Sequence, residues 1–459
     1  MNTRFFVHSI LLAACMSGMT ATAADLDAVY QRALSNDPLI READANRLAS
    51  RESKPQALAA LLPQVNGSGR YNDSDTKLTS TDITPPAPPI PFNRDTDGTS
   101  KAWDLSLRQS VFSWQNWAAL RRADAEVAQA EADYQTAQQD LILRTSEAYF
   151  NVLAAQDTLE AAQAAHDAIG RQLEQSEKRF EVGLIAVTDV QEAKAAFDSA
   201  TAALIQAKRT LATTGERLRE LTGDTFDELS KPGAEMPLTG PNPANPEDWV
   251  QLAMNQNSRL ISSRLGADIT RANISSERGG HFPSLDLVVS RSHFESASDI
   301  TGTSAGQDDT DQDDTTYSLQ VTVPIFTSGG TSSRVRQAQY RHTAARERLE
   351  RTARETERET RDAYLGVNSE VARVQSLRQA VESAQTALQA TEAGYEVGTR
   401  TSVDVLEARR RLFESQTNYA RSRYDYLLNV LRLQLAAGTL DAKGLADINA
   451  LLTESVRVR

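Results

Sequence analysis

Three stretches of the 459-residue sequence carry residue types that could do chemistry. Gly302-Thr303-Ser304-Ala305-Gly306 has the G-x-S-x-G form in which a strained turn exposes a nucleophilic serine. That geometry needs a strand before the serine and a helix after it. Here the pentapeptide leads into Asp308, Asp309, Asp311, Asp313 and Asp314, a polar run without helical periodicity, so no nucleophile is expected. The acidic run offers oxygen ligands for Ca²⁺ but lacks the glycine and ligand spacing of an EF-hand loop, and a solvated loop is the expectation. The five histidines (His8, His166, His281, His293, His342) are dispersed, so no zinc site or triad partner is visible. Asp404 and Glu407 stand three apart in a helical pattern, which turns both carboxylates to one side. On one chain they read as two solvated carboxylates; multiplied by symmetry into rings they would attract cations. Neither an enzyme nor a cofactor is expected, and no resident metal.

Charge and leader narrow the class further. The formal net charge is −13, and one unit more negative without Arg4, which argues against a nucleic-acid partner. Arg4, the apolar run Phe5 to Ala14 and Ala21-Thr22-Ala23 read as a signal peptide over residues 1–23, with a mature start at Ala24. Leu12-Ala13-Ala14-Cys15 also fits a lipobox, but the run before Cys15 is short and interrupted by His8 and Ser9, which favours ordinary cleavage. No segment approaches the roughly 18 apolar residues of a membrane helix.

The elements that must position these residues follow from a tandem repeat. Phe180-Glu181-Val182-Gly183 and Thr188-Asp189-Val190 return as Tyr395-Glu396-Val397-Gly398 and Val403-Asp404-Val405. The offset from Gly183 to Gly398 also relates Glu147-Ala148-Tyr149 to Asp362-Ala363-Tyr364, and Gly223 to Gly438. Residues 24–222 form one repeat and 247–437 the other, with a proline-rich linker over 223–246 and a closing segment over 438–459. Residues 25–60 read as helical. A run from about 114 to 181 would be a helix of about 100 Å at 1.5 Å per residue, and a second runs from the Gly183 turn to Leu221. No compact domain accommodates that length, so a coiled-coil-like assembly is implied. Its expected stripe is narrow and alanine-rich: Ala118, Ala125, Ala128, Ala132, Leu141, Ala148, Val152, Ala155. The Glu/Arg mixture over 346–361 reads as a solvated face.

Between these helices the pattern alternates. Trp103, Leu105, Leu107 and Val111 oppose Asp104, Ser106, Arg108 and Ser110; Tyr317, Leu319, Val321, Val323 and Ile325 oppose Ser318, Gln320 and Thr322. Residues 65–74 and 284–293 alternate less strictly. Four strands of roughly ten residues are predicted, in two hairpins with long polar loops over about 81–99 and 300–315. Phe112, Trp114, Trp117 and Phe326 would form an interfacial girdle where strands meet helices. Four strands cannot close a barrel and an open edge cannot survive in lipid, so several chains must share one. A non-transporting periplasmic coiled-coil scaffold is the alternative, but it has no use for the alternating strands.

These features carry a resemblance. The two Phe/Tyr-x-Val-Gly turns, the Thr188-Asp189-Val190 and Val403-Asp404-Val405-Leu406 pair, Gln191-Glu192-Ala193-Lys194-Ala195, Val323-Pro324-Ile325-Phe326 before Gly329-Gly330, and Gly438-Thr439-Leu440 occur in the order of the TolC family of outer-membrane efflux and secretion ducts. The chain resembles that family over its whole mature length. The resemblance implies a mainly α protein with a membrane β-barrel part. In it a homotrimer pools four strands per chain into a twelve-stranded barrel above a periplasmic α-helical barrel, with an equatorial belt from 223–246 and the C-terminal segment. It implies a passive duct in contact with outer-membrane lipid. A periplasmic adaptor and an inner-membrane pump of the RND, ABC or MFS type would open it. Thr188, Asp189, Tyr395 and Arg400 match the gate, with Gln172, Glu392 and Arg423 as supporting links. Asp404 and Glu407 match two acidic constriction rings that multivalent cations block, Glu407 replacing the usual Asp. Gly183 and Gly398 match the turns where the adaptor docks.

Overall fold

A computed structural model describes residues 23–82, 90–302 and 306–458. The leader with Cys15, the Pro85–Pro89 stretch and Ser304 lie outside the described residues. The chain divides into two compact units that cut across the repeat halves, because each long helix runs through both. In chain order the elements are α1 (Leu26–Asn36), α2 (Pro38–Arg51), α3 (Ser53–Ala59), β1 (Gln64–Asp82), β2 (Ile90–Phe112), α4 (Trp114–Glu181), α5 (Val187–Thr222) and β3 (Glu228–Lys231). The second half follows the same plan with α6 (Pro246–Gln256), α7 (Ser258–Gly279), β4 (Ser284–Gly302), β5 (Gly306–Thr322), α8 (Gly330–Glu396) and α9 (Ser402–Ala437), then α10 (Ala442–Asn449) and β6 (Glu454–Arg457).

One unit, residues 42–137 and 254–358, holds an antiparallel sheet in the order β1-β2-β4-β5. Directly paired residues share a face, and the register puts Leu107 opposite Val65 and Val289, and Val289 opposite Tyr317. That face, with Leu105, Leu285, Leu287, Leu319 and Val321, is mainly apolar, interrupted by Gln109 and Arg291. Much of it is open: Tyr317 is 78% exposed and Leu319 65%. An apolar surface of this kind calls for a non-aqueous neighbour. The other face is polar, and Arg108 pairs across it with the buried Asp286 at 3.3 Å. Among the described residues no helix is long and apolar enough to cross a membrane. A register shift between Ser110 and Phe112 puts Phe112, rather than Val111, opposite Leu285.

The strands are 17 to 23 residues long, not ten. Residues 90–99 and 306–315, expected as loops, are strand, and Asp308 to Asp314 lie in β5 paired with Ser292 to Ser298 of β4. Beyond the apolar belt both faces are wet, so the hydrophobic alternation stops while backbone pairing continues. Gly302 and Gly306 close one strand and open the next, which leaves no helix to complete a nucleophile elbow.

Beneath the sheet the helices keep the strand order. Asn116 Nδ2 donates to the Ala60 carbonyl and Arg47 pairs with Glu131, tying α4 to α2 and α3. Trp114 Nε1 donates to the Ser275 carbonyl and Arg122 to Asn273 Oδ1, tying α4 to α7. Thr270 bonds His342 and Glu277 pairs with Arg334, tying α7 to α8.

In the other unit, the core gathers Tyr149, Phe150 and Leu153 of α4, Leu427 and Leu431 of α9, Leu229 of β3 and Leu445 of α10. The alanine stripe anticipated only part of this: Ala118, Ala132, Leu141, Val152 and Ala155 are buried, whereas Ala128 is exposed. β3 pairs with β6, joining the segment after Gly223 to the chain end. The fully buried Tyr149 donates to the carbonyls of Ser230 (2.6 Å) and Ala24 (3.1 Å). Burial pushes its hydroxyl well above the ordinary tyrosine range, so it remains a donor at every physiological pH. The Ala24 carbonyl also accepts from the Ser230 N–H, so Tyr149→Phe removes the hydroxyl donor chiefly from the Ser230 carbonyl and should cost about 1 kcal/mol, read as a lowered denaturation midpoint at unchanged slope.

Candidate functional site at the hairpin turns

Each repeat folds a long helix back on a 36-residue partner: α4 on α5, and α8 on α9. The reversals depend on left-handed glycines, Gly183 at φ +74° and Gly398 at φ +79°. Their geometry is the same in both halves. Leu184 N–H reaches the Arg179 carbonyl and Thr399 N–H the Gly394 carbonyl, both at 2.8 Å, satisfying helix-end acceptors. A side chain at either glycine would meet no neighbour, so the requirement is conformational rather than steric. The turns are studded with exposed apolar side chains: Phe180, Val182, Leu184 and Val187 on one, Val397 and Val403 on the other. Sequence reasoning passed over these, although the Phe-x-Val-Gly-Leu spelling contains them.

The carboxylates fare differently from one another. Asp404 is the N3 residue of a capping box: its Oδ2 accepts from the Thr401 N–H (2.9 Å), while Thr401 Oγ1 accepts from the Asp404 N–H (3.2 Å). The Thr401 amide holds the Asp404 carboxyl below the usual carboxylate range. Glu407 accepts from Arg410 (2.8 Å) and Arg411 (3.3 Å), and the Arg410 hydrogen bond lowers its pKa. Asp404 and Glu407 were expected as two bare acidic rings; the second is paired with guanidinium within its own helix. The sequence held that signal, since Arg410 and Arg411 follow Glu407 at the i+3 and i+4 spacing.

Of the residues matched to the gate, Thr188 and Asp189 sit in the first turn of α5, and neither side chain hydrogen-bonds within the described chain. The Arg400 side chain, exposed in the turn after α8, likewise makes no hydrogen bond. Tyr395 does not reach Asp189: its hydroxyl is buried without a partner and its ring lies 4.9 Å beneath the Arg179 guanidinium. Gln172 is buried with its Nε2 also unpartnered. Glu392 is engaged by Arg409 at 2.7 Å, and Arg409 donates as well to the Ala168 carbonyl of α4 at 3.1 Å. Arg409 therefore straps α9 to both long helices, a tie that sequence reasoning missed. Arg423 is not with this group. It donates to the carbonyls of Pro232 and Gly233 beside β3, about 30 Å along α9 from its start. Among the described residues, no three His, Cys, Asp or Glu side chains are grouped to hold a metal.

Paired hairpins, an exposed apolar sheet face and a polar opposite face define a membrane channel protomer rather than a catalyst. The sequence matches the outer membrane efflux protein family over residues 29–224 and 249–439, and the chain belongs to that family. It is 36% identical to the outer membrane protein TolC of Vibrio cholerae, over 93% of this chain and 94% of that one. It is 29% identical to the alkaline protease secretion protein AprF of Pseudomonas aeruginosa, over 92% and 86%. The crystal structure of the Campylobacter jejuni CmeC outer membrane channel shares the fold with a TM-score of 0.71 at 17% identity, covering 99% of this chain and 98% of that one. The chain is an outer-membrane exit channel reaching into the periplasm, a transport protein and not an enzyme. It works as an oligomer with partner proteins.

The lowered Asp404 pKa makes its cap a stabilising contact above the ordinary carboxylate pKa, lost as pH falls through the depressed folded value. Asp404→Asn should reduce hydrogen-exchange protection of the first α9 turn at pH 7, and the difference from wild type should vanish once the carboxyl is protonated.

Proposed function

We propose that the chain is the passive exit duct of a tripartite assembly: a homotrimer with a twelve-stranded barrel, shut at the α4–α5 and α8–α9 turns. A periplasmic adaptor and an inner-membrane pump would open it, and the pump would choose the cargo. The reading rests mainly on one observation: Thr188 and Asp189 beside one hairpin turn and Arg400 in the other make no side-chain hydrogen bond among the described residues. Surface groups of opposite charge left free in one chain suit a contact between copies, Arg400 of one protomer meeting Asp189 and Thr188 of the next. Such an exposed charge-assisted contact holds helices together and yields to modest force. Arg409, with Glu392 and the Ala168 carbonyl, is the tie within the protomer. The apolar tips at Val182, Leu184 and Val397 suit an adaptor that buries them around Gly183 and Gly398. The α9 start admits cations at Asp404, with Glu407 contributing less because Arg410 and Arg411 offset it.

Purified protein in a planar bilayer should conduct in discrete steps, and a non-conducting, water-soluble product would overturn the duct. Arg400→Ser and Asp189→Ala should each raise closed-state conductance. Together they should raise it by less than the product of the single effects, because they remove one contact. Full additivity would place the two residues in separate contacts. Multivalent-cation block should respond to Asp404→Ala more than to Glu407→Ala.

A further inference from the structure

A cavity of about 660 Å³ opens between α4 and α7 just below the strands. Trp114 and Phe282, with ring centroids 5.5 Å apart, form its aromatic wall. Three guanidiniums line it, those of Arg121, Arg271 and Arg278, against a single lining carboxylate, Asp268. Among the described residues none of the three makes an ion pair; Arg121 lies over the Trp114 ring at 5.6 Å. In a chain of net charge −13, three unpaired arginines around one hollow concentrate positive charge locally.

Position decides what such a hollow suits. β2 ends at Phe112 and β4 begins at Ser284, so the cavity starts where the apolar sheet face stops. Arg278 is one residue from the end of α7, and Arg121 and Arg271 are each about 10 Å farther along their helices. That depth is the headgroup layer, where tryptophan bodies and arginine heads are at home. The groove is interior to the protomer's own layer. α4 is flanked by α2–α3 and α7, and α7 by α4 and α8, so the sheet edges that meet another copy lie elsewhere.

We propose that this cavity binds the phosphate headgroup of an anionic phospholipid, with its acyl chains running up the apolar strand face from Phe282. The proposal rests on the outer-membrane reading above. Guanidinium forks match phosphate oxygens bidentately, and the aromatic pair holds the glycerol end.

The test uses the purified oligomer in detergent, loaded with dioleoylphosphatidylglycerol or with dioleoylglycerol, which has the same tails and no phosphate. Retained lipid is counted by native mass spectrometry after detergent washing. Wild type should keep the phosphatidylglycerol in preference. Arg121→Gln with Arg271→Gln and Arg278→Gln should lose it at least about tenfold, since each charged hydrogen bond removed is worth about that factor. The triple Lys variant should retain an intermediate amount. Equal retention by the Gln variant, or no preference over dioleoylglycerol, overturns the proposal. So does displacement by millimolar inorganic phosphate, which would mark a site for free anions. Conductance of the same preparations is read separately: conducting channels without lipid preference sink this inference alone, whereas non-conducting protein sinks the duct reading instead.

Discussion

An amide or carbonyl at the edge of a sheet has no water to bond in hydrocarbon, and much of this structure follows from that. β1 and β5 are the edges of a four-stranded sheet whose outer face is apolar and open. Unpaired edge groups in lipid cost several kcal/mol each, so the edges must find each other on other copies. Oligomerisation is therefore a condition of the membrane part existing. Symmetry then multiplies whatever the hairpin turns display.

Within the aqueous part a different economy holds. The long helices are polar over most of their surface, and their tie points are few and specific. Tyr424 donates to Asp157 at 2.6 Å, Phe150 stacks on Tyr424, and Arg423 clasps the Pro232 and Gly233 carbonyls. Desolvation raises the Asp157 pKa, opposed by the Tyr424 hydrogen bond. Toward the start of α9 the polar ties thin out to the Arg409 strap. The segment carrying Asp404 is thus held less firmly than the segment carrying Tyr424.

Much of this was legible in the sequence because it rests on periodicity. The repeat, the 68-residue α4, the reversals at Gly183 and Gly398 and the apolar belt all follow from spacing or from a residue with a single conformational use. Strand length was not legible, since pairing above the belt involves Asp309, Asp311 and Asp313, whose side chains say only that the surface is wet. Partnership was legible in part. Glu407 is answered by arginines one turn away, which the sequence displays. Arg409 meets Glu392 and Ala168 through the fold, and Arg423 turns to a loop that no helical spacing brings near. Tyr149 and Phe150 entered the core where an alanine stripe suggested small residues, because β3 and α1 pack against that level of α4.

The unbroken run of α4 and α8 has a mechanical meaning. Neither contains a proline, and each carries its hydrogen-bond ladder through some 67 residues. A helix of that kind has no proline at which to kink sharply and is left with the gentle curvature of any long helix. The breaks in the ladder fall instead at the short connections, where Gly183 and Gly398 take a left-handed backbone.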